Sequence, residues 1–141
     1  MEFIVKTQPD IIISELDHAR IESLLESSAS VPFNIRDALE TELDRAELVA
    51  PENMPTNVVT MNSQVKFSVI STGATFSLKL VYPKDMDDSG RTISILAPVG
   101  SAMLGLKEGD EINWPDGKGG ILQVRIEAVE FQPERAGELH R

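Results

Sequence analysis

The apolar period of this chain changes once, across Pro51 and Pro55, and that change limits the fold more than any other feature. Before it, apolar residues recur at helical spacing. After it, they alternate or run in short β-branched blocks. Proline fixes φ and lacks a backbone donor, so no regular helix or central strand passes through Pro51-Glu52-Asn53-Met54-Pro55. The chain divides into a helical part at 1–53 and a sheet part at 54–141, an α+β organisation.

In the first part, Ile11-Ile12-Ile13 is a β-branched run that ends at Ser14, and Asp17 follows three residues later. That pair resembles a capping box with Asp in place of Glu, and it predicts a helix start. Leu16, Ile21, Leu24 and Leu25 form the apolar stripe, with Glu15, Asp17, Glu22 and Glu26 on the polar side. The helix ends near Ser27 or Ser28, because three serines and Pro32 occupy the segment up to Phe33. A second helix, capped at or beside Asn34, carries Ile35, Leu39, Leu43, Ala46 and Ala50 along one narrow seam. Two helices joined by so short a loop pack antiparallel, as a short coiled-coil hairpin.

In the second part, Val58–Met61 and Val65–Ile70 are expected strands about an Asn62-Ser63 turn, and Thr75–Tyr82 alternates cleanly. Pro83–Gly90 is a polar loop. Thr92–Ala97 is a strand that leads into the pivotal stretch Leu96–Ile112, LAPVGSAMLGLKEGDEI. There one or two helical turns are expected, closed by Gly105, with Gly109 in a tight turn; both glycines fall where φ > 0 is needed. A helix this short forms only when packed on a sheet. Asp110–Trp114 and Ile121–Phe131 are the last strands, joined by a turn through Asp116-Gly117-Lys118-Gly119-Gly120, and the polar segment from Gln132 is expected to fray. The sheet part is thus a bent antiparallel sheet with one short helix.

Composition excludes several kinds of function. The chain has 141 residues, 41% of them hydrophobic, enough for a compact core, and no cysteine, so thiolate catalysis and cysteine metal sites are absent. His18 and His140 are far apart, one on an acidic helix and one at the end of the chain, which makes neither a metal pair nor a catalytic base with a nucleophile. Gly117-Lys118-Gly119-Gly120 lacks the spacing of a phosphate-binding loop. No apolar run approaches the ~20 residues of a membrane span. The first residues, Met-Glu-Phe-Ile-Val-Lys, lack the pattern of a signal peptide, and a cytoplasmic location is expected. The net charge is -10, and the first 53 residues hold 12 of the 23 acidic groups against Lys6, Arg20, Arg36 and Arg45. Such a surface repels nucleic-acid backbones and suits a basic protein surface.

The runs VVTMNSQVKF at Val58–Phe67 and LVYP at Leu80–Pro83, the LAPVGSAMLGLKEGDEI stretch, and ELDRAELVAPENMP at Glu42–Pro55 together resemble the Rnk proteins. These are named as regulators of nucleoside diphosphate kinase and are relatives of the Gre transcription factors. The resemblance implies an N-terminal antiparallel coiled coil at 1–53 and a C-terminal domain of the FK506-binding-protein-like fold at 54–141. It implies docking at the rim of the secondary channel of bacterial RNA polymerase; a monomer without a cofactor is expected. Carried over to this sequence, the docking positions are Ala97, Pro98, Val99, Gly100 and Met103. Ala97 stands where Gre factors often have a polar residue, so contact there would rest on backbone groups and shape.

The same resemblance raises the question of transcript cleavage, for which Gre factors carry an Asp-x-x-Glu pair at the tip of a long hairpin to hold magnesium. Here the tip runs from Ser28 to Phe33 without an acidic residue, and the nearest carboxylates are Glu26 and Asp37, beside Pro32 and Phe33. An arm of about 14 residues reaches only ~21 Å. The expectation is a non-catalytic factor that occupies the channel rim and competes with longer factors. Two alternatives remain open: an adaptor that binds nucleoside diphosphate kinase directly, and a weak prolyl isomerase suggested by the fold alone. Trp114 precedes a proline at a strand end and reads as a packing residue.

Overall fold

A computed structural model describes residues 10–27, 31–115 and 118–138. The chain begins with strand β1 (Ile12–Ser14) and helix α1 (Glu15–Ser27), and continues with α2 (Phe33–Arg45) and β2 (Glu47–Val49). After a 3-10 turn at Pro51–Asn53 come β3 (Gln64–Val69), β4 (Thr75–Val81), a second 3-10 turn at Pro83–Asp85, and β5 (Thr92–Ser94). The last elements are α3 (Pro98–Met103), β6 (Glu111–Pro115) and β7 (Ile121–Phe131). The hairpin residues Ser28, Ala29 and Ser30, the turn residues Asp116 and Gly117, and His140 lie outside the described residues.

Helix α1 starts as the Ser14 signal predicts: the Asp17 amide donates to Ser14 Oγ at 3.0 Å. Its buried face is Asp17, Ile21 and Leu25, at steps of four, so Asp17 lies on the apolar stripe and not with the polar residues. The second helix differs from expectation at both ends. Its first turn is formed on the Pro32 carbonyl, which accepts from the amides of Ile35 and Arg36, and Asn34 lies inside the helix and does not cap it. It stops at Arg45, before Ala46 and Ala50 can join the seam, because Glu47–Val49 pairs in parallel with β1. The amide of Glu47 donates to the Ile11 carbonyl at 3.0 Å. Tertiary pairing outweighs weak helix propensity here.

The larger sheet has strand order β5-β4-β3-β7-β6. It is mixed, not wholly antiparallel: β4 and β5 run parallel, with Leu80 opposite Ile93. Only Thr92–Ser94 of the expected Thr92–Ala97 strand is extended, because the Ser94 carbonyl turns to accept the Ala97 amide and α3 begins. Alternation in β3 buries Val65 and Phe67. In β7 the inward parity moves from Val124 and Ile126 to Val129, because register shifts against β3 leave Glu127 and Glu130 with no residue opposite them in that strand. Bulges of this kind bend a sheet and raise its twist.

Val58–Met61 is not a strand. It is a buried turning segment tied by a single bridge from Val58 to Lys107 and by the Val59 amide to the Leu106 carbonyl at 2.8 Å. The turn expected at Asn62 is present: its φ is +66°, with the Asn62 amide on the Leu80 carbonyl. Gly105 also adopts the expected left-handed backbone, at φ +85°, and a Cβ there would come within 2.7 Å of Ile11 Cβ.

One buried cluster runs through both parts, from Ile11, Ile21, Leu39 and Leu43 to Phe67, Leu80, Met103 and Ile126. Each fully buried aliphatic side chain contributes about 1.5–3 kcal/mol. The segment after β7 does not fray at once. The Gln132 side chain is buried and donates to the carbonyls of Pro55 and Val58, both at 2.8 Å. These bonds satisfy an irregular buried segment that no strand partner covers. Gln132→Ala is therefore expected to cost about 2–3 kcal/mol in urea unfolding, and an unchanged midpoint would contradict this anchoring role.

Candidate protein-docking site

Helix α3 is a six-residue helix packed against α2 and against β5 and β6. Ala97 is its N-cap residue in extended conformation, without a side-chain cap, and Pro98 occupies the first turn, where its missing amide costs nothing. Ala97 donates its amide to the Ser94 carbonyl at 3.0 Å and accepts the Ser101 amide at 2.9 Å. The other positions carried over from the resemblance turn inward. Val99 and Gly100 are buried, and Met103 is fully buried in the core. A helix this short holds its place by sinking its apolar residues into the sheet, so Met103 is a packing residue and its side chain is not presented to a partner. Gly100 lets α3 approach β5: a Cβ there would lie 2.9 Å from the Ser94 carbonyl carbon and closer still to its oxygen.

The hairpin carries its site residues on the outside. Glu26, Pro32, Phe33 and Asp37 are all on the open side of the arms, and Phe33 stands 79% exposed, the most open large apolar side chain among the described residues. The Arg36 guanidinium donates to the Leu25 carbonyl and ties the two arms together near the turn. Farther along, Glu22 and Glu26 of α1 and Glu40 and Asp44 of α2 surround a shallow groove floored by Leu25 and Leu43. Four carboxylates on one face repel anions and attract cationic groups. Sequence spacing placed Glu22 and Glu26 on the polar face of α1, but only the hairpin closure brings them together with Glu40 and Asp44.

Where the hairpin meets the sheet, a buried polar junction forms that helical spacing alone did not reveal. Asp17 is 2% exposed, and its carboxylate accepts the Met61 amide at 3.1 Å. Burial pushes the Asp17 carboxyl up to about 7, with Glu134 adding to the shift and the Met61 amide and Arg20 opposing it. Thr60 Oγ1 lies 2.8 Å from Ser63 Oγ and donates to Glu134 at 2.8 Å. Burial likewise raises the Tyr82 hydroxyl above its ordinary range. The available signal was the step of four from Asp17 to Ile21 and Leu25.

The aromatic residues are engaged with one another. Phe67 stacks on Phe76 at 5.2 Å between ring centroids, and Trp114 meets both edge-on at 5.4 and 5.2 Å. Trp114 is thus a packing residue, as expected. His18 sits 3.4 Å from Glu22, one helical turn away on the same face. No group of three or more potential metal ligands occurs among the described residues.

Residues 54–131 match the family model described as transcription elongation factor GreA/GreB, C-terminal, and residues 9–49 match the model of the Rnk N-terminus. The regulator of nucleoside diphosphate kinase of Escherichia coli K12 is 48% identical over 132 residues, covering 94% of this chain and 97% of that protein. Transcription elongation factor GreA of Syntrophobacter fumaroxidans is 30% identical, covering 77% of this chain and 72% of its own. Among solved structures, a prokaryotic transcription elongation factor GreA/GreB from Nitrosomonas europaea superposes with a TM-score of 0.78 at 58% identity, over 88% of this chain and all of that one.

Proposed function

Since this chain belongs to the Rnk family of regulators of nucleoside diphosphate kinase, with a C-terminal part of the GreA/GreB type, we propose that it is a non-catalytic transcription regulator that binds bacterial RNA polymerase near the secondary channel. The family consists of regulators and elongation factors, and the chain is a regulator and not an enzyme. In this reading residues 54–141 form the docking domain, of the FK506-binding-protein-like type, and 1–53 form a short coiled-coil hairpin directed at the channel mouth. Ala97 and Pro98 supply a contact made by backbone and shape, with Val99, Gly100 and Met103 setting the pose of α3 from within. The factor acts by occupying the site that Gre-type factors use, and the changed transcription alters nucleoside diphosphate kinase levels.

The observation that carries this reading is the hairpin itself. Its arms are 13 residues each, about 20 Å, and no carboxylate lies between Glu26 and Asp37. A magnesium-delivering tip needs both length and paired carboxylates, and this hairpin has neither. Its four-carboxylate groove instead suits steering toward a basic surface.

Competition between this protein and a long-hairpin Gre factor for purified core polymerase tests the reading. Mutual exclusion without stimulated RNA cleavage is expected. The association rate should fall as salt rises, since the Debye length shrinks to about 10 Å at 0.1 M. Changing Glu22, Glu26, Glu40 and Asp44 to their amides together should slow association by about tenfold at low salt and little at high salt. Absence of binding at micromolar protein, together with direct capture of nucleoside diphosphate kinase, would replace this reading with the adaptor one.

A further inference from the structure

A second concavity lies between α1 and the turn that follows β4, with a volume of about 680 Å³. That is the size of a small-molecule site. None of its lining residues belongs to α3 or to the acidic groove of the hairpin. From α1 it receives Arg20, Ser23, Leu24 and Ser27, which stand at steps of three, one and three and so share one helical face. This is the face that the hairpin packing leaves aside, since Ile21 and Leu25 are the buried ones.

The opposite wall is built by backbone of unusual conformation. Asn62 lines the groove at φ +66°, the sole non-glycine residue with positive φ among the described residues. Such a backbone in a side-chain-bearing residue is uncommon, and it is tolerated where a turn must aim a polar group. Beside it, the 3-10 turn at Pro83–Asp85 brings Lys84 to the rim. Tyr82 lines the same wall, with its hydroxyl buried beneath the groove surface beside Arg20.

The charge of the groove runs against that of the chain. Arg20 is one of four basic residues among the first 53, yet here it shares with Lys84 a groove whose sole acidic lining residue is Asp85. Lys84 makes no ion pair among the described residues. Arg20, Lys84, Ser23 and Asn62 line one concavity, with Leu24 and Pro83 as apolar walls. We propose that this groove binds a small organic anion, a phosphate or carboxylate group carried on a compact apolar body. The anion sits between Arg20 and Lys84, while the body lies against Leu24 and Pro83. Charge-assisted bonds to a guanidinium are the strong and directional ones.

Titration of the full-length, isotope-labelled protein with phenyl phosphate, followed by amide NMR at low salt, tests the proposal. Inorganic phosphate and phenol serve as anion-only and body-only probes, and benzoate separates carboxylate from phosphate. Saturable shifts confined to the amides of Arg20, Ser23, Asn62 and Lys84 are expected, with phenyl phosphate at least about tenfold tighter than inorganic phosphate or phenol. Lys84→Gln is at an exposed position and leaves the fold intact; it and Arg20→Gln should each weaken binding by about tenfold. Shifts that never saturate, that spread over the surface, or that persist unchanged in both variants would overturn the proposal. None of these outcomes depends on polymerase binding.

Discussion

Gly100→Ala is expected to abolish the native packing of α3. The added methyl would fall inside the van der Waals envelope of the Ser94 carbonyl oxygen and 2.9 Å from its carbon. Both are backbone atoms at the end of β5, and the oxygen also accepts the Ala97 amide. Neither the helix nor the strand can yield without losing the bonds that define it. The helix must lift away and expose Val99, Met103 and Leu104, all now buried. Overpacking against flexible side chains costs about 1–3 kcal/mol, whereas collision with fixed backbone should exceed ~4 kcal/mol, which puts it among the exceptional single substitutions. Ala102, two residues on and exposed, gives the control: Ala102→Ser should stay within about 0.5 kcal/mol. Urea unfolding of the two variants checks the comparison, and a Gly100→Ala protein as stable as its parent would show that α3 does not lie against β5 as described.

Asp17→Asn is expected to make the protein more stable at pH 8 and to flatten its stability profile. The Asp17 carboxyl is held near 7, well above its ordinary value near 3.8, chiefly because burial disfavours the charged form. The folded chain therefore binds a proton that the unfolded chain has released. Stability from this group is fully present below pH 3.8 and is lost as pH rises to about 7. The largest difference across that window is about 4 kcal/mol, since each tenfold change in proton affinity between the folded and unfolded chain corresponds to about 1.4 kcal/mol. Asparagine keeps an oxygen for the Met61 amide and carries no charge to bury. Chemical denaturation at several pH values between 5 and 8 should show the parent losing stability on the alkaline side and the variant holding it. A variant that is less stable than its parent at pH 8 would mean that the ionised carboxylate is needed at the junction. Because the bond from Met61 joins α1 to the sheet, the same titration should loosen the hairpin's root as pH rises.

Much of the local structure could be read from residues alone, since its causes are local. Ser14 caps α1 because a hydroxyl three residues before an amide can reach it. Asn62, Gly105 and Gly109 have positive φ because turns at those points require it and these residues tolerate it. The inward residues of β3 follow from a period of two. The Leu96–Ile112 stretch was legible as a stretch, but which of its side chains face outward was not. Met103 has the character of an adaptable contact and yet is buried, because the side of α3 that meets the sheet depends on how closely Gly100 lets it approach.

By itself, then, the amino-acid sequence determined the α+β order of elements, the cap of α1, the turns and the acidic hairpin with its neutral tip. Each of these depends on residues within a few positions of one another. Only the tertiary structure decided what depends on distant partners. It ended α2 at Arg45 by pairing β2 with β1, and it made the sheet mixed by setting β5 parallel to β4. It buried Asp17 under Met61 and anchored Gln132 on Pro55 and Val58, 77 and 74 positions away. A helix face or strand period says which residues share a side, but the partner on that side is chosen by closing the whole chain on one core, and that choice is a sum over contacts that no short window contains.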